Sequence, residues 1–147
     1  MYLLDTNIVS RLDPRRHASA PALVAWLARN GAHLFLSALT FMEVEAGILK
    51  LRREDKRERA DELASLARAI LTDFGERVLA VDAEVALEAA RLAEAARPIT
   101  LEAADLLIAA TAKVHGLTVL TNNLRHFEPT GVTALDPLTA LPPDASP

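Results

Sequence analysis

The sequence predicts an α/β domain whose parallel sheet is covered on both faces by helices. Three observations carry this reading: short apolar runs recur along the chain, stretches of helical length separate them, and capping or turn residues fall between the two kinds of segment. Strand-helix-strand units of this kind connect parallel strands that are buried on both sides. A chain of 147 residues fits one domain, large enough for a single core without disulfides or structural zinc.

The first strand is the apolar run Tyr2, Leu3 and Leu4, which ends at Asp5. A short polar helix or turn follows and is broken at Pro14. Residues 19–30 read as a helix, with Pro21 near its start and Gly31 past its end. Residues 33–37 are a buried strand, and Thr40 opens a helix to about residue 51. The mixed-charge stretch 54–59 is the solvated beginning of a longer helix, in which Leu63, Leu66, Ala67, Ile70 and Phe74 form an apolar stripe. Residues 77–81 form a third strand, and Asp82 caps an alanine-rich helix that ends before Pro98. Thr100 caps a helix to about His115, with Gly116 as its stop. Residues 118–121 and 132–135 supply the last two strands. The domain is expected over residues 1–141, with a disordered Pro- and Asp-containing tail over 142–147.

Composition excludes several functions. The absence of cysteine removes thiolate metal sites and a cysteine nucleophile. A formal charge of −4 argues against passive, nonspecific coating of nucleic acid. It leaves room for a nuclease in which a local cluster such as Arg11, Arg15, Arg16 and Arg125 steers the backbone, although scattered solvated arginines explain the same residues. No apolar run approaches the roughly 20 residues of a membrane span, and no targeting segment precedes the first strand, so a soluble, cytoplasmic protein is expected.

Three acids stand out. In open parallel sheets ligands collect outside the carboxyl ends of the strands, and Asp5 lies at such an end. Asp105 sits in a helix that is apolar on nearly every face, where an ionised carboxylate is costly unless it is paired or binds metal. A favourable helix dipole or one arginine partner is the competing explanation. Glu43 follows the second strand toward the same sheet edge, yet Thr40 to Glu43 also fits a capping box. Gly47, one turn later, is expected to let this helix approach a neighbour closely. Thr6 and Asn7 are turn formers or groups that hold the Asp5 carboxylate, and Asn122 and Asn123 are turn residues or oxygen donors. The four histidines, His17, His33, His115 and His126, lack metal-ligand spacing and read as structural or surface groups. Three carboxylates converging on one crevice ask for a hard divalent cation.

Four segments together resemble a known family: Leu4 to Asn7; Leu36 to Thr40 with Glu43 and Gly47; Ala104 to Ala112 around Asp105; and Leu120 to Asn123 with Phe127. In their order and spacing the chain resembles PIN-domain ribonucleases, specifically the VapC-type toxins of bacterial and archaeal toxin-antitoxin pairs. The resemblance implies a three-layer α/β/α sandwich around a parallel sheet, a Mg²⁺ or Mn²⁺ site, and metal-dependent cleavage of RNA. Carried over by position, Asp5, Glu43 and Asp105 are the catalytic acids. Asp5 and Asp105 are then direct metal ligands, Glu43 a ligand or the orienter of the attacking water, and Thr6 a support behind them. Asn123 takes the fourth acidic position, where many relatives carry aspartate, which removes one negative charge and weakens the case for a second tightly held metal. Arg11 and Arg125 are the expected RNA-steering residues. The family also implies a homodimer and a cognate antitoxin that lies across the acidic pocket.

Other readings share parts of this pattern. A PIN-like module can bind RNA or protein without cutting, and the asparagine at 123 is compatible with that. An aspartyl phosphotransferase needs a second aspartate two positions after the first, where Asn7 stands. A receiver-type switch needs a lysine after a late strand, where Asn122 and Asn123 stand.

Overall fold

A computed structural model describes residues 1–144 of the chain. Its strands are β1 (Tyr2–Leu4), β2 (Leu34–Ser37), β3 (Val78–Leu79), β4 (Thr118–Leu120) and β5 (Ala134–Leu135). They form one five-stranded sheet in the order β3-β2-β1-β4-β5, and every pairing is parallel. Its helices are α1 (Thr6–Val9), α2 (Pro21–Arg29), α3 (Ala38–Arg53), α4 (Arg57–Phe74), α5 (Ala83–Ala95), α6 (Ala103–Val114) and α7 (Leu124–Phe127).

The alternation of side chains along the central strands divides the core into two layers. Leu3 and Val119, which are register partners, face the layer that holds Val85, Leu92, Ile108 and Phe127. The next pair, Leu4 and Leu120, faces the opposite layer with Ile8, Leu23, Trp26, Leu34, Leu36 and Phe74. Helices therefore cover both faces of the sheet, the α/β/α sandwich expected from the sequence. Leu3, Leu4, Val119 and Leu120 are all fully buried, and each such side chain contributes about 1.5–3 kcal/mol relative to exposure. The rigid centre of the sheet is thus the strand that carries Asp5 at its end.

Two predicted helix starts move. The α3 helix begins not at Thr40 but two residues earlier: Ser37 is its N-cap, and the Ser37 hydroxyl accepts from the Leu39 amide at 3.2 Å. Thr40 is buried within the first turn, so no capping box joins it to Glu43. The α6 helix begins after Glu102 rather than Thr100, which places Asp105 in the first turn, where the helix dipole favours a negative charge. Both corrections have one cause. Ser37 and Glu102 are polar residues in extended backbone three and two positions from the expected caps, and local sequence does not rank such neighbours. Asp82, by contrast, caps α5 as expected, accepting from the Val85 amide at 3.0 Å. Gly116 stops α6 with φ +63.

Gly47 does not serve a close helix contact. A side-chain carbon built there meets nothing within 4 Å, because the position borders an open groove. The disordered tail expected from residue 142 falls in part on residues 145–147, which lie outside the described residues. Before them, Pro142 is buried and Asp144 accepts from the Asn30 side-chain amide at 2.9 Å. Among the described residues no helix is long and apolar enough to cross a membrane.

Candidate active site

A crevice opens at the carboxyl ends of the central strands, where α1, α3, α6 and α7 begin or pass. Asp5, Thr6, Asn7, Ser10, Arg16, Glu43, Glu102, Asp105, Asn123 and His126 line it. The sequence places its three acids, Thr6 and Asn123 here, and the structure brings all five together. Arg11 and Arg125 are not among the lining side chains: Arg11 donates to the Ser19 hydroxyl at 2.8 Å, and Arg125 is exposed. Arg15 pairs with Glu62 at 2.6 Å, so Arg16 alone of the predicted arginine cluster reaches the crevice.

Asp5 caps α1 and is held from three sides. Its Oδ1 accepts from the Thr6 amide at 2.7 Å, and its Oδ2 from Asn7 Nδ2 at 2.6 Å and Thr121 Oγ1 at 2.7 Å. The Asp5 amide donates to the Leu120 carbonyl at 3.0 Å, which locks the acid to β4. Thr121 Oγ1 in turn accepts from the Asn123 amide at 3.0 Å. Burial pushes the Asp5 carboxyl above its usual range; the bonds from Thr121 and Thr6 pull it down, and the charges of Asp105 and Glu43 add to the rise. An acid crowded by two others and withdrawn from water is one that a cation would relieve.

The other two acids are each tied by one oxygen. Thr6 Oγ1 donates to Glu43 Oε2, and His126 Nδ1 lies 3.0 Å from Asp105 Oδ2. Asp105 is 18% exposed, so its free edge opens into the crevice rather than the core.

His126, Ser10 and Glu102 are lining residues that the sequence did not single out, and Arg16 stood there only as one of a steering cluster. The signal for His126 was only its place three residues after Asn123. Glu102 adds a carboxylate to a site where Asn123 lacks one.

The carboxylates and the Asn123 amide oxygen are hard donors suited to Mg²⁺ or Mn²⁺ rather than to a thiolate-seeking metal. Among the described residues no three acidic or imidazole side chains form a ready-made ion cage. Mg²⁺ does not require one, since it keeps several waters and takes one or two carboxylates.

Beside the crevice runs an apolar groove between α3 and α4. Val9, Phe41, Val44, Gly47, Leu63, Leu66, Ala67 and Ile70 line it, and Thr6, Ser10, Arg16 and Glu43 belong to both depressions. The predicted stripe of α4 is therefore only partly covered.

A parallel five-stranded sheet with acids gathered beyond its central strands is the architecture of a PIN domain. The sequence matches the PIN domain family over residues 2–131, and the chain belongs to that family. It is 36% identical over 140 residues to the toxin FitB of Neisseria gonorrhoeae, covering 93% of this chain and 98% of that protein. It is 32% identical over 143 residues to the VapC ribonuclease Y4jK of Sinorhizobium fredii, covering 93% and 97%. The crystal structure of FitAcB from Neisseria gonorrhoeae superposes with a TM-score of 0.76 at 35% identity, over 93% of this chain and 98% of that one.

Proposed function

We propose that the chain is a metal-dependent endoribonuclease, the toxin of a type II toxin-antitoxin pair, that acts in the cytoplasm. The observation that carries this reading is the convergence of Asp5, Glu43 and Asp105 in one crevice, each carboxylate already held by a neighbouring donor. The relationship to a VapC ribonuclease supports the same chemistry.

In this reading Asp5 and Asp105 hold the cation. A bound Mg²⁺ or Mn²⁺ supplies polarisation of the scissile phosphate and a water of lowered pKa. Glu43, tied to Thr6 through Oε2, keeps Oε1 to orient the attacking water or to complete the metal's coordination. Thr6, Asn7 and Thr121 fix Asp5 and so set where the reacting phosphate sits. Arg16 at the rim is the basic group positioned to meet a neighbouring phosphate. Asn7 donates to Asp5, so it does not supply the acid that an aspartyl phosphotransferase needs at that position.

The apolar groove fits an amphipathic segment of an antitoxin, which reaches the acids at Thr6 and Glu43. A solved toxin-antitoxin complex from Klebsiella pneumoniae shares this fold, which supports such a partner, and a homodimeric toxin is part of the same reading.

The test is cleavage of a total-RNA pool by the purified protein, free of antitoxin, with Mg²⁺, Mn²⁺ or EDTA, alongside Asp5→Asn and Asp105→Asn. Discrete fragments that vanish with chelator and in both variants are expected. RNA left intact by the wild type under every metal would transfer the reading to a PIN module that binds without cutting.

A further inference from the structure

We propose that His126 is the positioning residue for Asp105: it binds Oδ2 and leaves Oδ1 as the oxygen available to a divalent cation. The inference rests on the metal-site reading above but assigns a residue which that reading does not contain.

An ionised carboxylate only accepts hydrogen bonds, so at 3.0 Å the imidazole must carry its proton on Nδ1 and donate. That holds for the neutral ring with this tautomer and for imidazolium alike, so the contact does not depend on the charge of the ring. The backbone that carries the ring is anchored. The helix α7 is only four residues long, but Phe127 beside His126 is fully buried and fixes it against the core. The neighbouring acids repeat the arrangement. Glu43 gives one oxygen to Thr6, and among the described residues Glu43 Oε1 and Asp105 Oδ1 have no hydrogen-bond partner. Each of these carboxylates is thus divided into a tethered oxygen and a free one, both inside the same crevice. Outer partners of this kind set the rotamer and basicity of a ligand, and losing one typically weakens metal affinity about 10-fold or more.

The test is Mn²⁺ binding to the full chain, read by calorimetry and by loss of the free Mn²⁺ electron paramagnetic resonance signal. His126→Phe keeps the ring volume and removes the donor; His126→Asn keeps a donor near the Nδ1 position. Mn²⁺ affinity is expected to fall about 10-fold in His126→Phe and to recover most of the way in His126→Asn. Thermal melts of both proteins establish that they are folded. Wild-type affinity in His126→Phe, or an Asn variant as weak as the Phe variant, would overturn the assignment. Asp105→Asn separates the two levels of the argument. If it loses Mn²⁺ while His126→Phe does not, only the role of His126 falls. If Asp105→Asn binds Mn²⁺ like the wild type, the metal site itself falls and the inference with it.

Discussion

Thr6 and Glu43 are joined by a hydrogen bond from Thr6 Oγ1 to Glu43 Oε2, across 37 positions of sequence. The bond ties the first residue of α1 to the α3 helix and gives Glu43, which lies too far from the Ser37 cap to join it, a partner on another element. A single hydroxyl thus aims one acid while its backbone amide holds another, Asp5.

Removing that hydroxyl should leave the fold intact and release Glu43. Thr6→Val is expected to lower kcat for RNA cleavage about 10-fold with KM little changed, whereas Thr6→Ser stays near wild type. Steady-state cleavage of a defined RNA measures both.

If Asp5 holds the cation as proposed, metal and proton compete there. Burial raises its carboxyl above the ordinary aspartate range, Thr121 and Thr6 partly counter this, and Asp105 and Glu43 reinforce it. A folded-state pKa raised in this way gives stability that is complete below the unfolded value, near 3.9, and is lost as pH rises through the folded value. A cation bound at Asp5 would replace the missing proton. The rise in Tm produced by Mg²⁺ should therefore grow with pH and vanish below about pH 4. Melts with Mg²⁺ and with EDTA across pH check this.

The opposite sign applies to Asp13, which is 4% exposed and paired with Arg59. Burial pushes its carboxyl up, but the bonds from Arg59 and the Arg15 amide and the charges of Arg59 and Arg16 outweigh this and hold it below the usual range. Its contribution is present above the unfolded pKa and is lost as pH falls through the folded one. Asp13→Asn should cost roughly 2 kcal/mol at pH 7, less than a fully buried pair because Arg59 keeps some contact with water. Urea unfolding at pH 7 and pH 3 should show the difference shrinking in acid.

Gly47 offers a stabilising change. It lies inside α3 with open space around it, so Gly47→Ala should add about 1 kcal/mol without a clash. Urea unfolding measures the gain, and RNA cleavage should be unchanged.

Arg16→Ala should raise KM for RNA several-fold, leave kcat close to wild type, and flatten the salt dependence of kcat/KM, since the proposed phosphate contact of this rim arginine is removed. Cleavage rates over a range of salt concentrations test this.

The sheet was legible because its strands are apolar runs on which both layers of the core depend. Asp5 was legible for the same reason: the end of a central strand is a place that topology defines. Glu43 and Asp105 both line the crevice although their helix starts differ from those expected, because shifting a cap by two or three residues does not change which sheet edge a helix leaves from. His126 was not legible. Its contact with Asp105 spans 21 residues and depends on how a four-residue helix is pinned by Phe127, which no periodicity encodes. Arg11 was preferred over Arg16 in the sequence, but the 3-10 turns between Ser10 and Ser19 turn Arg16 toward the crevice and Arg11 toward Ser19.

Asp5 is translated 116 positions before its oxygen partner Thr121 and likewise long before Leu120, the acceptor of its amide. A nascent polypeptide therefore has no completed crevice until β4 has emerged and paired with β1. An enzyme that cuts RNA would be synthesised in an inert form beside the RNA of its own translation machinery. Products that stop before Thr121 would lack the hydroxyl that holds Asp5 Oδ2.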